Sequence, residues 1–217
     1  QLSNIQRSKP PTVAILSSVL KPSNAHMAHP GLSVIEDLKR QYDVFVLPYF
    51  AESLDEKYDV LIVFDAPIIR QGMIRAIDKH IQEGRSAILM LDPFQRMNEA
   101  NARLELGLSS EGEINSITDL LKFYGINFSH NGVVGDFENA ANVETGTGRN
   151  FAYPYWLRIR ENNMTKEEPV VANLNELLFA ETGVFAMEAM PDFLKPIVFT
   201  GEQISMETRA VFDEKST

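Results

Sequence analysis

Two short apolar runs, separated by one helix-length stretch, constrain the fold more than any other feature of the chain. Residues 59–65 read DVLIVFD and residues 86–92 read SAILMLD, so each run has strand length and ends in an acidic residue. A proline follows each run, at Pro67 and Pro93. Continuous Val, Ile and Leu runs are typical of strands that are buried on both faces of a parallel sheet. The pattern therefore predicts a strand–helix–strand unit, with its helix between Pro67 and Gly84.

A second unit of the same kind comes before the first. Residues 13–16 and 44–47 are apolar runs of strand length, and a capping box, SVIE at residues 33–36, opens a helix between them. A helix over residues 117–124, capped by Asn115-Ser116 and ended by Gly125, leads to a short fifth strand at 133–136. Since such crossovers are right-handed, the sequence predicts an α/β fold, a flavodoxin-like three-layer sandwich with a mostly parallel sheet of order 2-1-3-4-5.

The last third of the chain has weaker patterns. We expect a strand or paired edge element over 151–159, a short helix over 173–179 and a strand-like segment over 196–200. Residues 1–11 are polar, end in Pro10-Pro11, and indicate a linker or frayed terminus. The predicted organisation is a single α/β domain over 12–217, with a core at 12–136 and a mixed extension at 137–217.

Composition excludes several classes of function. The chain has 217 residues, a formal net charge of −10 and no cysteine. The acidic balance argues against non-specific binding to nucleic acid or to anionic membrane surfaces. A Cys nucleophile, a Cys-ligated zinc site and a disulfide are all excluded. No run reaches the ~20 apolar residues that span a bilayer, and the chain starts at Gln1 rather than Met, so we expect a piece of a longer protein.

The candidate site lies at the carboxyl ends of the predicted strands, because ligands of open parallel sheets bind there. The loops after the first and third strands flank the point where the strand order reverses. These loops carry Ser17, Ser18, Asp65 and Pro67, and Asp92 ends the neighbouring strand. We expect these side chains to face one crevice.

The two acidic strand ends have competing interpretations. Asp65 and Asp92 are candidates for binding a sugar hydroxyl or a cation. A carboxylate that a proline follows within two residues more often caps the turn or helix that comes next. Two carboxylates at strand ends also suit hydrolysis, if their separation is right. Ser17 and Ser18 occupy a position where a nucleophile sits in some hydrolases, yet no Gly-x-Ser-x-Gly elbow is present. Polar lining of the loop is the favoured interpretation of both serines.

Aromatic and histidine residues supply the remaining candidates. Tyr155 and Trp156, with Tyr153, suit an aromatic platform for a sugar or a partner, or the core of an edge strand. His26 and His29 lie three apart in a loop, a spacing that does not by itself make a metal site. His80 is expected on the solvated side of its helix.

Glycine-rich segments give no support to nucleotide binding. The sequence TGTG at 145–148 is a turn rather than a phosphate-binding loop, because no strand precedes it and no helix follows it. The chain also has no P-loop, which excludes the ATPase of a transporter.

The order of the motifs resembles the auxiliary domain of ABC-type transport systems over roughly residues 12–205. The motifs are VAILSS at 13–18, Ile35-x-x-Leu38 with YDV at 42–44, YDVLIV at 58–63, Ile77-Asp78 with EG at 83–84, ILMLDP at 88–93, LLxxYGI at 120–126, VVxD at 133–136 and PIVFTGEQIS at 196–205. That family includes the gliding-motility-associated auxiliary protein, and its fold is related to a domain of intraflagellar transport proteins.

The resemblance implies a domain on the extracytoplasmic face of the membrane, in bacteria the periplasm. It implies tethering by membrane helices outside this fragment, an ABC-2-type permease and an ATPase as partners, and no cofactor. We therefore expect a non-catalytic auxiliary domain that binds a partner subunit or a ligand, with a carbohydrate-like ligand as one candidate. The alternative is a hydrolase or amidotransferase relative that uses Ser or carboxylate chemistry.

Overall fold

The structure, a computed structural model, describes residues 9–20, 33–54, 58–93, 116–129, 132–144, 146–185 and 192–208. The chain divides into two compact units. The first comprises residues 1–91 and 95–124, and the second comprises residues 92–94 and 125–217. This division into compact units does not by itself decide between one domain and two, so the single domain over 12–217 stays a prediction. His26 and His29 lie outside the described residues.

The first unit contains a four-stranded sheet in which every pairing is parallel. Its strands are β1 (Thr12–Leu16), β2 (Asp43–Val46), β3 (Val60–Phe64) and β4 (Ser86–Met90), in the order β2-β1-β3-β4. The register aligns Ile15 with both Val46 and Ile62, and aligns Ile62 with Ile88. The first four strands of the predicted order are therefore confirmed.

Three helices of this unit lie in the described residues: α1 (Ser33–Lys39), α2 (Gln71–Gln82) and α3 (Ile117–Phe123). The Ser116 hydroxyl accepts the backbone N–H of Asp119 at 3.2 Å, which confirms the predicted cap of α3. Gly84 and Gly125 adopt left-handed backbone angles, with φ of 75° and 74°, just after α2 and α3. Glycine reaches this conformation without steric strain, so it is a favoured residue just after the end of a helix.

Helix α2 begins later than predicted, at Gln71 rather than at Pro67. The intervening segment is extended at Arg70, and it buries Ile68 and Ile69 almost completely. The Tyr49 hydroxyl donates a hydrogen bond to the Ile68 carbonyl and holds this segment in place. Burial of two isoleucines in an extended segment outweighs the weak preference of proline for a first helical turn.

The core of the first unit lies on both faces of the sheet. Val13, Ile15 and Ile62 form a cluster with Ile35 of α1. Leu61, whose side chain points to the other face of the sheet, is also fully buried, as expected for a strand that is covered on both faces. Strand β4 differs, because Ile88 and Met90 are 47% and 55% exposed. Burial on both faces is thus confirmed for β3 and wrong for β4, which lies at the edge of the described sheet.

The second unit is built from antiparallel strands. They are β5 (Gly132–Asp136), β6 (Ala140–Glu144), β7 (Asn150–Arg160), β8 (Glu176–Ala180) and β9 (Ile204–Thr208). The strands β6-β7-β8 form one sheet and β5-β9 another. A cluster around Leu157 and Ile159 of β7, which also includes Val134, Met164 and Val171, forms the core of this unit.

Three predictions for this region are wrong in part. The strand at 133–136 is not a fifth parallel strand, because β5 pairs antiparallel with β9. Residues 173–179 do not form a helix: β8 places Leu177 and Phe179 against the core and pairs with β7. The segment 196–200 makes one isolated bridge, between Val198 and Met164, rather than a strand. The strand at 151–159 is confirmed as β7, which is central in its sheet and not at an edge.

Candidate functional site

The carboxyl ends of β1 and β3 meet at one edge of the parallel sheet, as the sequence predicts. The backbone N–H of Ser18 donates to the carbonyl oxygen of Asp65 at 3.2 Å, and the Ser18 hydroxyl donates to the same oxygen. Ser17, by contrast, is completely buried, and its hydroxyl accepts the Val19 N–H at 3.4 Å. Because a buried hydroxyl is closed to substrate, Ser17 is a structural residue and not an accessible nucleophile.

Asp65 has an unusual backbone conformation at this edge. Its φ of 44° lies in the left-handed region, which few residues other than glycine occupy. Aspartate tolerates that region better than most residues, because its short polar side chain bonds locally. Asp65 does not cap α2, since the N-cap of that helix is Arg70 and carries no side-chain cap, and the alternative that Asp65 caps the following turn stays a prediction. A conformation of this kind often marks a functional turn.

The predicted site residues divide between the two units. Ser17, Ser18, Asp65 and the half-buried Pro67 lie in the first unit, at the edge described above. Asp92, Tyr155 and Trp156 lie in the second. Within the first group the structure joins Ser18 to Asp65, and the rest of the predicted site stays a prediction. In the second group, Tyr155 and Trp156 belong to a separate candidate surface, and Asp92 is not part of it.

Four aromatic side chains of β7 form that surface, and we call them the aromatic cluster: Phe151, Tyr153, Tyr155 and Trp156. The Tyr153 ring lies 6.0 Å from Phe151, 5.5 Å from Tyr155 and 6.4 Å from Trp156, measured between ring centroids. The three interplanar angles are 75°, 68° and 69°. Phe151 and Trp156 are 47% and 38% exposed, so the aromatic cluster is open to solvent at two of its rings.

An irregularity in β7 brings these rings together. Tyr153 and Trp156 are three residues apart, a spacing that places side chains on opposite faces of a regular strand. Ala141 of β6 pairs with Tyr153, but Ala140 pairs with Leu157, so residues 154–156 have no counterpart in β6. Pro154 lies in this bulge, where its missing N–H leaves no ladder hydrogen bond unmade.

Glu181 lies beside the aromatic cluster, and the sequence prediction did not include it. Its backbone N–H donates to the Tyr155 carbonyl at 2.8 Å, and its φ is 51°. Burial raises the pKa of the Tyr153 hydroxyl, and the negative charges of Glu181 and Tyr155 raise it further. Nothing in the local sequence marks Glu181, because its position depends on the pairing of β7 with β8.

A buried carboxylate organises the polar part of the second unit. Asp136 is completely buried, and one of its oxygens accepts the N–H groups of Glu138 and Asn139, both at 3.1 Å. The other oxygen accepts the Asn139 amide at 2.8 Å and the Gly201 N–H at 2.7 Å. Since every partner is a donor within the chain, this network is structural. An acidic residue directly after a buried strand was the available sequence signal.

His80 is also buried, contrary to the prediction that it is solvated. The ring is 4% exposed, and Nε2 lies 3.0 Å from the Ser86 carbonyl oxygen. Its spacing from Met73 and Ile77 puts it on the apolar side of α2, and that spacing was visible in the sequence.

No helix in the described part of the chain is both long enough and apolar enough to cross a bilayer. Within the same residues, no three His, Asp or Glu side chains come together as a metal site would require.

The described residues combine a parallel α/β sheet, which has polar loops at its carboxyl edge, with a β-rich unit that exposes an aromatic cluster. The family described as an ABC-type uncharacterized transport system matches residues 10–213, and the chain belongs to that family. The resemblance inferred from the motifs is confirmed, and the protein is an auxiliary component of an ABC-type transport system. No curated protein and no solved structure matches the chain.

Proposed function

We propose that the protein is a non-catalytic, extracytoplasmic auxiliary component that binds a ligand or a partner subunit of its transport system. The observation that carries this proposal is the family match over residues 10–213, which covers both units. A transport system of this type requires other components, and we propose an ABC-2-type permease and an ATPase as the partners. The Ser18–Asp65 edge and the aromatic cluster are the proposed contact surfaces.

Assembly with the transport components is the direct test of this proposal. We expect the permease and ATPase to co-purify with the full protein from detergent-solubilised native membranes. A photo-crosslinking residue placed at Trp156 should capture one of them. The same residue placed at Phe123, which is 90% exposed on the first unit, probes that unit for comparison. Co-purification with neither component would overturn the proposed partners.

The extracytoplasmic location can be tested by cysteine labelling, because the 217 residues contain no cysteine. The Lys79 side chain is 76% exposed, so a Lys79→Cys variant should react with a membrane-impermeant maleimide. The label is applied to intact cells whose outer envelope has been made permeable. Ser17→Cys is the matched control, since Ser17 is fully buried and should label only after unfolding. Labelling of Lys79→Cys only after cell lysis would refute this location.

The non-catalytic role is supported by the surroundings of the serines. Ser17 is inaccessible, and the Ser18 hydroxyl is committed to the Asp65 carbonyl. A nucleophilic serine needs a neighbouring base, and His80, a buried histidine, is bonded to the Ser86 carbonyl. Turnover in a broad hydrolase screen that disappears in Asp65→Asn would contradict a non-catalytic role.

A further inference from the structure

The aromatic cluster is a group of rings packed edge-to-face around Tyr153, and not one flat platform. A sugar stacks on one flat ring, so a sugar platform needs an open aromatic plane. In the aromatic cluster, the rings of Phe151, Tyr155 and Trp156 meet the Tyr153 ring at 68–75°. Centroid spacings of 5.5–6.4 Å are those of rings in direct contact, so a ligand meets the exposed parts of Phe151 and Trp156 and does not enter between the rings.

The position of Glu181 beside these rings is fixed from two sides. Its own N–H bonds to the Tyr155 carbonyl at 2.8 Å, and the carbonyl of the next residue, Thr182, accepts the Val134 N–H at 2.9 Å. Glu181 is therefore held between β7 and β5. It keeps a left-handed φ of 51°, which is unfavourable for a glutamate.

The carboxylate of Glu181 has no cationic partner among the described residues. The nearby Arg158 pairs with Glu176 at 3.8 Å, and Lys195 pairs with Glu168. Lys166 donates to backbone carbonyls of Val171 and Leu174. A negative charge thus stands next to half-exposed ring faces, in a chain whose net charge is −10.

We propose that the aromatic cluster and Glu181 together bind an alkylammonium cation. Ring faces carry negative electrostatic potential and attract ammonium groups, with Trp the strongest, and Trp156 and Phe151 are the exposed rings of the aromatic cluster. Glu181 supplies the full opposite charge. The inference rests on the proposed binding function and names the ligand chemistry of its second surface. The cation is either a free amine or a lysine side chain of another protein.

The single tryptophan provides a direct readout, because Trp156 is the only one in the chain. We expect choline to change Trp156 fluorescence in a saturable way, with a Kd in the millimolar range. The neutral analogue 3,3-dimethylbutanol has the same shape without the charge and should give no saturable change. A peptide containing lysine, compared with one containing norleucine, distinguishes a protein side chain from a free amine as the natural source.

Variants assign the site to these residues. Glu181→Gln and Phe151→Leu should each weaken choline binding by about tenfold, while Phe123→Leu on the first unit should leave it unchanged. Glu181→Gly removes the charge and also relieves the backbone strain, so it keeps the test valid if Glu181→Gln fails to fold. Circular dichroism checks the fold of each variant.

The outcomes separate this inference from the proposed function. Equal binding of choline and 3,3-dimethylbutanol, or no binding of any cation, would overturn the cation site. Binding of a neutral sugar in place of choline would also overturn it, yet the proposed binding function would stand. If neither the permease nor the ATPase co-purifies with the protein, the proposed function is refuted instead.

Discussion

Ser18 donates both its backbone N–H and its hydroxyl to the carbonyl oxygen of Asp65, across 47 residues of sequence. This pair joins the loop after β1 to the loop after β3. Because both loops begin where parallel strands end, the pair fixes the edge of the sheet at which ligands of such folds bind. Both backbone and side chain of Ser18 are therefore used to hold the position of Asp65.

The left-handed backbone of Asp65 should be sensitive to the residue type placed there. Glycine adopts a φ of 44° freely, whereas alanine does so at a cost of about 1 kcal/mol. We expect Asp65→Ala to unfold at lower urea concentration than Asp65→Gly. Equal stabilities of the two variants would show that backbone strain is absent at this position.

His80 should contribute to stability although it is a polar residue on a helix. Removal of its ring leaves the Ser86 carbonyl unpaired and opens a cavity, so His80→Ala should lower the free energy of unfolding by about 2 kcal/mol. The neighbouring Lys79→Ala, whose ion pair with Glu83 is exposed, should cost less than about 0.5 kcal/mol. Urea titration compares the two, and similar losses would contradict the burial of His80.

Asp136 should be the most sensitive carboxylate of the second unit. Asp136→Asn replaces an acceptor oxygen by an amide donor that faces other donors, which should cost about 3 kcal/mol. Asp192→Asn is the control, because Asp192 is exposed in the same unit. The measurement is the thermal transition of each variant, and a normal transition for Asp136→Asn would disprove the network.

The stability of the first unit should depend on alkaline pH through Tyr124. The hydroxyl of Tyr124 donates to the carboxylate of Asp78, and this bond, with burial and the charge of Asp78, raises its pKa above 10.0. The proton is thus held more tightly in the folded state. The stabilisation is complete below pH 10 and is lost as the pH rises through the folded pKa.

The Tyr124→Phe variant isolates this effect. We expect the wild-type advantage in melting temperature over Tyr124→Phe to be constant at neutral pH and to shrink above pH 10. In an Asp78→Asn background the advantage should be smaller at every pH, because the carboxylate that accepts the Tyr124 hydroxyl is gone. An advantage that stays constant up to strongly alkaline pH would exclude Tyr124 as its source.

The first unit was predictable because its signals are local. Unbroken apolar runs at 60–64 and 13–16 predict central parallel strands, and the right-handed crossover rule then places Ser18 near Asp65. The exposed face of β4 was not predictable, since a run of apolar residues does not reveal whether a layer packs on each face of its strand. The burial of His80 was predictable from its spacing to Ile77, and the error lay in placing His80 opposite the apolar stripe of its helix.

The second unit depends on distant pairings, and there the sequence misleads. Leu177 and Phe179 alternate with exposed residues in β8, but this short alternation is also compatible with a helix until β7 is known as its partner. Strand β5 reads like a parallel strand, and only its pairing with β9 makes it antiparallel. Glu181 joins the aromatic cluster through the same long-range pairing.

The bulge at Pro154 lies between the exposed aromatic part of β7 and the part of the strand that builds the core. Residues 154–156 have no partner in β6, whereas Leu157 and Ile159 further along the same strand anchor the interior. Substitution of the ring at position 156 should therefore leave the ladder between β7 and β6 intact. One strand in this way supplies interior side chains at one end, and at the other it carries rings that can change without cost to that pairing.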